Sequence, residues 1–487
     1  MLFKNTKYFK SFNNLFKKLF TFVKLYFIYM VLIKSVSGIR GTIFNKNEEN
    51  LTPFNILKFV TIFSYFLLKK EKKPTVIIGR DARISGSHIL KLISTQILNL
   101  GIDVIDIGLV ATPSVGLYVL NEQADGGIMI SASHNNIEWN ALKFFNDQGE
   151  FLTKKESEYI INYQIELNAN SIKLNKGKIK FKEDALDFHI SKVLDLDEVL
   201  TEKIKKKKIK VVIDGINSSG AVALPKLLEK LNVSYIKLNC SPNGIFDHNP
   251  EPIPKNLHKL SSMVLLHKAD FGIAVDPDVD RLVIVCEDGS FFGEENTIVS
   301  ICDFILSKYQ GSTVTNLSTS NGLREITLNK NSKHYYSAVG ESNVIDLMKK
   351  KKAIFGGEGS GGVIFPKFHY GRDALVGIGL FLSYFSEKNI LCSEIKKILP
   401  NYFMSKDKIL LTDKFNFEHF KNSIINDLNK KKEVNFILID GLRINYKCGS
   451  WIHIRKSNTE PIIRLIIESK TKQKIKDLKD FINLYIK

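Results

Sequence analysis

Arginine is rare in this chain of 487 residues: nine of its 70 basic side chains are Arg and the rest are Lys. A net charge of +19 ordinarily points to nucleic acid or a membrane surface as partner. Here the excess comes from Lys scattered through Asn-, Ile- and Phe-rich sequence, a drift that fills exposed positions, so no nucleic-acid partner is expected. Runs such as Lys205–Lys208 and Lys349–Lys352 read as solvated helix ends. Cysteine is also sparse. Cys240, Cys286, Cys302, Cys392 and Cys448 form no close pair, which argues against a disulfide framework or a zinc site and fits a reducing cytoplasm. Lys interrupts every apolar run near the start, so no stretch of about 20 residues there could cross a bilayer. A full G-x-G-x-x-G is missing, which excludes a dinucleotide site and leaves no nucleotide cofactor to expect. Residues 1–29 lack Asp and Glu altogether. They read as an N-terminal extension, either an amphipathic surface helix or a dispensable tail.

Where Arg is rare its placement carries weight, because a planar fork that grips phosphate is not replaceable by Lys. Arg40, Arg80, Arg83, Arg281, Arg372, Arg455 and Arg464 fall in or just after turns rich in Gly, Asp or hydroxyls. One such region centres on Ser131-Ala132-Ser133-His134-Asn135-Asn136, which follows the apolar run Gly127–Ile130. Small hydroxyl residues ended by two Asn suit a turn that presents one serine oxygen while nearby N–H groups face an anion. Lys143, in the alternating stretch Trp139–Phe145, is predicted on a second strand returning towards that turn. An ordinary polar loop between two strands fits these residues as well. Arg80 and Asp81, after the strand at Thr75–Ile78, read as an ion pair supporting the serine loop.

A second stretch, Asp276-Pro277-Asp278-Val279-Asp280-Arg281, follows the apolar run Phe271–Val275. Three carboxylates over five positions repel one another, and a Mg²⁺ ion that wants a few hard oxygen ligands would relieve them. An acidic surface loop is the alternative; the position at a strand end, with Arg next, favours the metal.

The length implies three or four domains. Strand–turn–helix–strand patterns recur at residues 75–107, 210–238 and 313–355, the rhythm of βαβ units, with boundaries expected at 30–180, 181–290 and 291–401. From 402 to 487 the pattern changes to strands at 436–439, 442–446 and 450–454 and a terminal helix from Lys472. The expected fold is α/β: three similar mixed α/β domains and a C-terminal α+β domain around a central cleft.

Four motifs in order resemble the α-D-phosphohexomutase superfamily over residues 31–487. They are the serine loop, the Asp-x-Asp-x-Asp-Arg loop, Gly356-Gly357-Glu358-Gly359-Ser360-Gly361, and Arg455-Lys456-Ser457-Asn458-Thr459-Glu460-Pro461 with Arg464. The family-like sequence starts at Met30, and the resemblance sets the Ser37–Thr42 loop, with Arg40, beside the serine. It implies a phosphohexomutase that interconverts hexose 6-phosphate and hexose 1-phosphate through a phosphoserine at Ser133 and a 1,6-bisphosphate intermediate. One Mg²⁺ per chain would be held by Ser133, Asp276, Asp278 and Asp280. Lys143, with His134, Arg40 or Arg281, would handle the proton or charge. Glu358 and Ser360 would hold the sugar, and Arg455, Ser457, Asn458, Thr459 and Arg464 its phosphate. A glucose or glucosamine 1,6-bisphosphate would serve as activator, a phosphosugar as substrate, and a monomer or homodimer is expected. Within the family the motifs are most similar to bacterial phosphoglucosamine mutases, with phosphomannomutase and phosphoglucomutase as alternatives. Departures are Asn136 where Pro is usual, Gly359 where Glu or Gln is usual, and Gly362 where His is usual. Rival classes are a non-catalytic polyanion- or membrane-binding basic protein and a phosphoserine hydrolase.

Overall fold

The computed structural model describes residues 32–43, 50–71, 73–163, 177–411, 415–429, 434–457 and 462–485. The 1–29 extension lies outside them, as do Asn458, Thr459, Glu460 and Pro461. Four sheets follow one another along the chain. The first holds β1 (Ile33–Ser35), β2 (Gly38–Thr42), β3 (Thr75–Arg80), β4 (Asp103–Leu109), β5 (Gly126–Ile130), β6 (Trp139–Phe145) and β7 (Ile179–Phe181). Their order is β1-β2-β6-β5-β3-β4-β7, with β5, β3, β4 and β7 parallel and the other three antiparallel. The stretch around Arg40, read above as a loop, is strand β2. Gly38, at φ 118, lies where an added Cβ would sit 2.2 Å from the Leu142 carbonyl, so the glycine permits close strand approach rather than a turn over phosphate.

The second sheet holds β8 (Lys210–Asp214), β9 (Ser234–Leu238), β10 (Phe271–Val275) and β11 (Leu282–Cys286), and the third β12 (Thr313–Asn316), β13 (His334–Ser337), β14 (Phe355–Glu358) and β15 (Gly362–Ile364). Both follow one plan, three parallel strands with one antiparallel strand at an edge. The fourth sheet, β16 (Phe403–Leu410), β17 (Val434–Ile437), β18 (Leu442–Tyr446), β19 (Trp451–Lys456) and β20 (Ile462–Ser469), is antiparallel throughout. β5, β10 and β11 are buried at every position, which is why they read as unbroken apolar runs instead of alternating ones. Three similar α/β units and one α+β unit are the fold expected from the sequence.

One apolar core runs through the first three units, from Ile77 and Val115 through Ile213 and Phe271 to Phe355 and Phe381, whereas the fourth unit packs its own. Polar struts reinforce the shared core. Ser114 Oγ lies 2.8 Å from His189 Nδ1, and His189 Nε2 lies 2.8 Å from Asp373 Oδ2. This Ser–His–Asp chain has the composition of a hydrolase triad, but all three side chains are buried, so it serves as a bolt across units. The fourth unit is fastened by Arg443, fully buried, which donates to the Leu317 carbonyl (2.5 Å) and Asn321 Oδ1 (2.8 Å). Its guanidinium lies 4.3 Å from the Tyr336 ring centroid and 4.1 Å from that of Trp451, a desolvated cation–π arrangement.

The serine loop has its own internal support. Arg83, 1% exposed, donates to four carbonyls of that loop, those of Ser133 (2.5 Å), Asn135 (2.6 Å), Asn136 (2.6 Å) and Trp139 (2.9 Å). Its Nε pairs with Asp81 Oδ2 at 3.1 Å, and Asp81 in turn accepts from Ser131 Oγ at 2.7 Å. The ion pair expected between Arg80 and Asp81 is therefore made by Arg83; Arg80 donates instead to the Asp81 carbonyl (3.1 Å). Replacing Arg83 by Met leaves a buried carboxylate without its cation and removes a hydrogen bond from each of four loop carbonyls, and should cost roughly 3–5 kcal/mol in denaturant unfolding. Arg83→Lys, which cannot span four carbonyls, should recover only part of that loss.

Candidate active site

Two loops from different units meet at Ser133. Ser133 sits at φ 50 in the left-handed region, an unfavourable setting for a non-glycine residue that surrounding contacts must enforce. The Arg83 bonds and the Ser133 N–H donated to Ser131 Oγ (2.9 Å) supply that enforcement. The opposing loop carries Val279 at φ 59, rarer still for a β-branched side chain. Across the gap Ser133 Oγ donates to Asp276 Oδ2 at 2.6 Å.

Each aspartate of the trio divides its two oxygens between different tasks. Asp276 Oδ1 accepts the backbone N–H groups of Asp280 (3.1 Å) and Arg281 (3.2 Å), while Oδ2 faces Ser133. Asp278 Oδ2 accepts from Lys143 Nζ at 2.5 Å and from the Thr112 hydroxyl. Asp280 Oδ2 accepts from Arg372 Nη2 at 2.6 Å. That leaves Asp278 Oδ1 and Asp280 Oδ1 buried with no hydrogen-bond partner among the described residues. One oxygen from each of the three carboxylates lies within 4.8 Å of the others. Orphaned hard oxygens on a buried trio of like charges fit a small divalent cation such as Mg²⁺.

The electrostatics follow from burial. Desolvation, then Asp280 and Asp278, push the Asp276 carboxyl well above its usual range. Burial works the same way on Asp278, but the ion pair with Lys143 and the hydrogen bonds from Lys143 and Thr112 outweigh it and hold that carboxyl low. Lys143 comes from β6, the strand on which it was expected, and its Nζ is also 3.8 Å from Asp280 Oδ2. His134 Nδ1 is 3.3 Å from Ser133 Oγ. Burial, together with Arg281, Arg40, Arg372 and Lys143, holds its imidazole far below the ordinary histidine range, hence neutral near pH 7. Arg40 donates to Asn135 Oδ1 at 2.7 Å, and burial lowers its guanidinium to about 10. Arg281 Nε stands 3.9 Å from Asp280 Oδ1.

The glycine loop after β14 lies against the aspartate loop, the Leu282 N–H donating to the Gly361 carbonyl at 3.1 Å. Glu358 Oε1 accepts from Asn316 Nδ2 (2.7 Å) and the Gly340 N–H (3.1 Å), and Oε2 accepts from Arg372 Nη1 (3.0 Å). Ser360 follows within the same loop. Two of the three departures from the family motif, Gly359 and Gly362, now have a physical reason. A Cβ on Gly359 would sit 1.9 Å from Glu295 Oε2, and one on Gly362 would sit 2.4 Å from Arg372 Cδ. Charged side chains from elsewhere thus occupy the room that side chains at 359 and 362 would need. Burial raises Glu295 to about 7.

The fourth unit brings Arg455 and Arg464 directly opposite each other on β19 and β20, like charges on paired strands that an anion would stabilise. Glu358 is among the charges that act on Arg455, although burial comes first in lowering its pKa. The Ser457 N–H donates to the Ile462 carbonyl at 2.9 Å; the expectations for Asn458 and Thr459 lie outside the described residues. The scarcity of Arg drew attention to Arg83 and Arg372 in the sequence without naming their partners, whereas nothing there pointed to Thr112, Glu295 or Glu341 as part of the site.

The family profiles of phosphoglucomutase/phosphomannomutase alpha/beta/alpha domains I, II and III match residues 32–170, 187–289 and 294–402, and that of the C-terminal domain matches 411–484. A protein named phosphoglucomutase/phosphomannomutase from Thermococcus kodakarensis is 34% identical over 448 residues, covering 90% of this chain and 95% of that one. One named probable phosphoglucosamine mutase from Methanopyrus kandleri is 30% identical over 450 residues, covering 91% and 95%. The crystal structure of a phosphoglucomutase/phosphomannomutase family protein from Burkholderia thailandensis shares the fold with a TM-score of 0.77 at 21% identity, over 93% of this chain and 98% of that one. With all four domain profiles in order on one chain, the protein belongs to the phosphoglucomutase/phosphomannomutase family of the α-D-phosphohexomutase superfamily, and is an isomerase.

Proposed function

We propose that this phosphohexomutase converts glucosamine 6-phosphate to glucosamine 1-phosphate through a phosphoryl group carried on Ser133 Oγ. The observation that carries the proposal is the 2.6 Å contact between Ser133 Oγ and Asp276 Oδ2, which sets a hydroxyl against three buried carboxylates with two oxygens to spare. In this reading Asp276, Asp278 and Asp280, with Ser133, would hold one Mg²⁺, which when bound would supply positive charge against the phosphoryl oxygens.

The chain's own groups do the rest. The free hydroxyl of the sugar phosphate attacks phosphorus, its O–P bond forms as the Oγ–P bond breaks, and its proton passes to a nearby base. His134, neutral and 3.3 Å from Ser133 Oγ, suits that proton, while Lys143, Arg40 and Arg281 stabilise the transferring charge. Arg455, Ser457, Asn458, Thr459 and Arg464 grip the phosphate already on the sugar, and Glu358 and Ser360 hold its hydroxyls. The 1,6-bisphosphate then turns end over end, Ser133 Oγ takes back the other phosphoryl group, and the isomerised monophosphate leaves. An amino sugar is favoured by the likeness of the serine and glycine motifs to bacterial phosphoglucosamine mutases and by the name of the Methanopyrus relative. A phosphomannomutase or phosphoglucomutase is the second reading, favoured by the name of the Thermococcus relative.

With Mg²⁺ and a trace of hexose 1,6-bisphosphate, the protein should isomerise glucosamine 6-phosphate faster than the glucose or mannose analogues, without net release of inorganic phosphate. A chelator should stop turnover and added Mg²⁺ restore it. Ser133→Ala should reduce activity to background and abolish phosphorylation of the peptide carrying residue 133, whereas full turnover in that variant would refute the mechanism. Lys143→Met should lower kcat by roughly 10²–10³-fold, as removal of a preorganised charge-stabilising donor does elsewhere.

A further inference from the structure

Arg372 lies outside the four motifs, yet it touches two of them. Its backbone N–H and Nε both donate to Glu341, at 2.8 and 3.0 Å. Nη1 donates to Glu358 Oε2 at 3.0 Å and Nη2 to Asp280 Oδ2 at 2.6 Å. One planar fork therefore fixes the rotation of a carboxylate in the aspartate loop and of another in the glycine loop, although the two come from different sheets. The effect on each is specific. At Asp280 the bond engages Oδ2 and leaves Oδ1 as the buried oxygen without a hydrogen bond among the described residues. At Glu358 it engages Oε2, while Asn316 and Gly340 hold Oε1, so the carboxylate cannot rotate.

The backbone of Arg372 is itself anchored. The Asp373 N–H donates to the Val363 carbonyl at 2.9 Å, and the Asp373 side chain caps the helix Ala374–Lys388 while bonding His189 and His369 at 2.8 and 3.0 Å. Gly362 gives the arginine stem its path, since a Cβ there would meet Arg372 Cδ at 2.4 Å. Burial disfavours a charge at this place, yet Asp280, Glu341 and Glu358 together keep the guanidinium firmly charged.

We propose that Arg372 is a positioning residue that couples the two halves of the site: it turns Asp280 to face the cation and Glu358 to face the sugar. This inference rests on the mutase reading for its sugar half alone. A ligand-orienting partner of this kind typically governs metal affinity through the carboxylate it holds. Lys could not replace it, because an ammonium is a point charge that cannot bridge three carboxylates in a fixed plane.

The test titrates Mg²⁺ into the full-length protein by calorimetry, which needs no turnover, and separately measures KM for the sugar phosphate at saturating Mg²⁺. Arg372→Gln should weaken the Mg²⁺ Kd by about 10–100-fold and raise the sugar KM as well. Glu358→Gln should raise KM while leaving the Mg²⁺ Kd unchanged. Arg372→Lys should recover one of the two constants at most, and it decides the matter if the Gln variant does not fold. An Mg²⁺ Kd unmoved in both Arg372 variants, or recovery of both constants by Lys, would overturn the proposal. A wild-type protein that binds Mg²⁺ but isomerises no sugar would instead sink the mutase reading, with the calorimetric result for Arg372 still decisive.

Discussion

Three carboxylates on five consecutive positions, buried where water cannot screen them, would drive one another to take up protons or force the loop apart. Much of the site is arranged against that outcome. Lys143 comes from the first unit to meet Asp278, Arg372 comes from the third to meet Asp280, and backbone N–H groups of the loop itself meet Asp276. Lys143 and Arg372 each take one oxygen of their aspartate, and among the described residues Asp278 Oδ1 and Asp280 Oδ1 are left without a hydrogen-bond partner. The Ser133 hydroxyl meets the third aspartate, Asp276, from the opposing loop. Offsetting the repulsion and building the site are one arrangement.

The way the units are joined follows from the same requirement. Ser133, Asp276 and Arg372 must keep their distances to within a fraction of an ångström, and the three units that carry them share a continuous apolar core crossed by the Ser114–His189–Asp373 bolt. The fourth unit carries Arg455 and Arg464, which grip the distal phosphate in the proposed mechanism, and its core is its own. It is attached by polar contacts: Arg443 on Leu317 and Asn321, His453 on Ser318 (2.9 Å), and Lys406 on Glu294 and Glu295. Apolar continuity marks the parts whose geometry the chemistry cannot relax, and a polar seam marks the part that only has to hold the far end of the substrate.

The sequence made the strands and helices around the site legible because they are long, fully buried and punctuated by Gly, Asp or Pro. β8 and β9 bound the strand–turn–helix–strand pattern at 210–238, and β10 coincides with the apolar run Phe271–Val275. β16 went unrecognised: Ser405-Lys406-Asp407-Lys408 occupies its middle, and a charged, half-exposed edge strand looks like a loop. The serine, aspartate and glycine loops were legible because each concentrates its chemistry within a few positions. Arg83, Thr112 and Arg372 were not, since their meaning lies in partners 50, 166 and 92 residues away. Glu295 was hidden in the same way: nothing local shows that its carboxylate fills the space left by Gly359.

The account depends most on a divalent cation bound by the aspartate trio within reach of the serine oxygen. Diffraction from crystals containing Mn²⁺, read from its anomalous signal, tests this directly. The account predicts one ion per chain, bonded to one oxygen each of Asp276, Asp278 and Asp280 and to Ser133 Oγ or a phosphoryl group upon it. An ion bound elsewhere, or a trio that binds none while Ser133 stands out of bonding range, would contradict it.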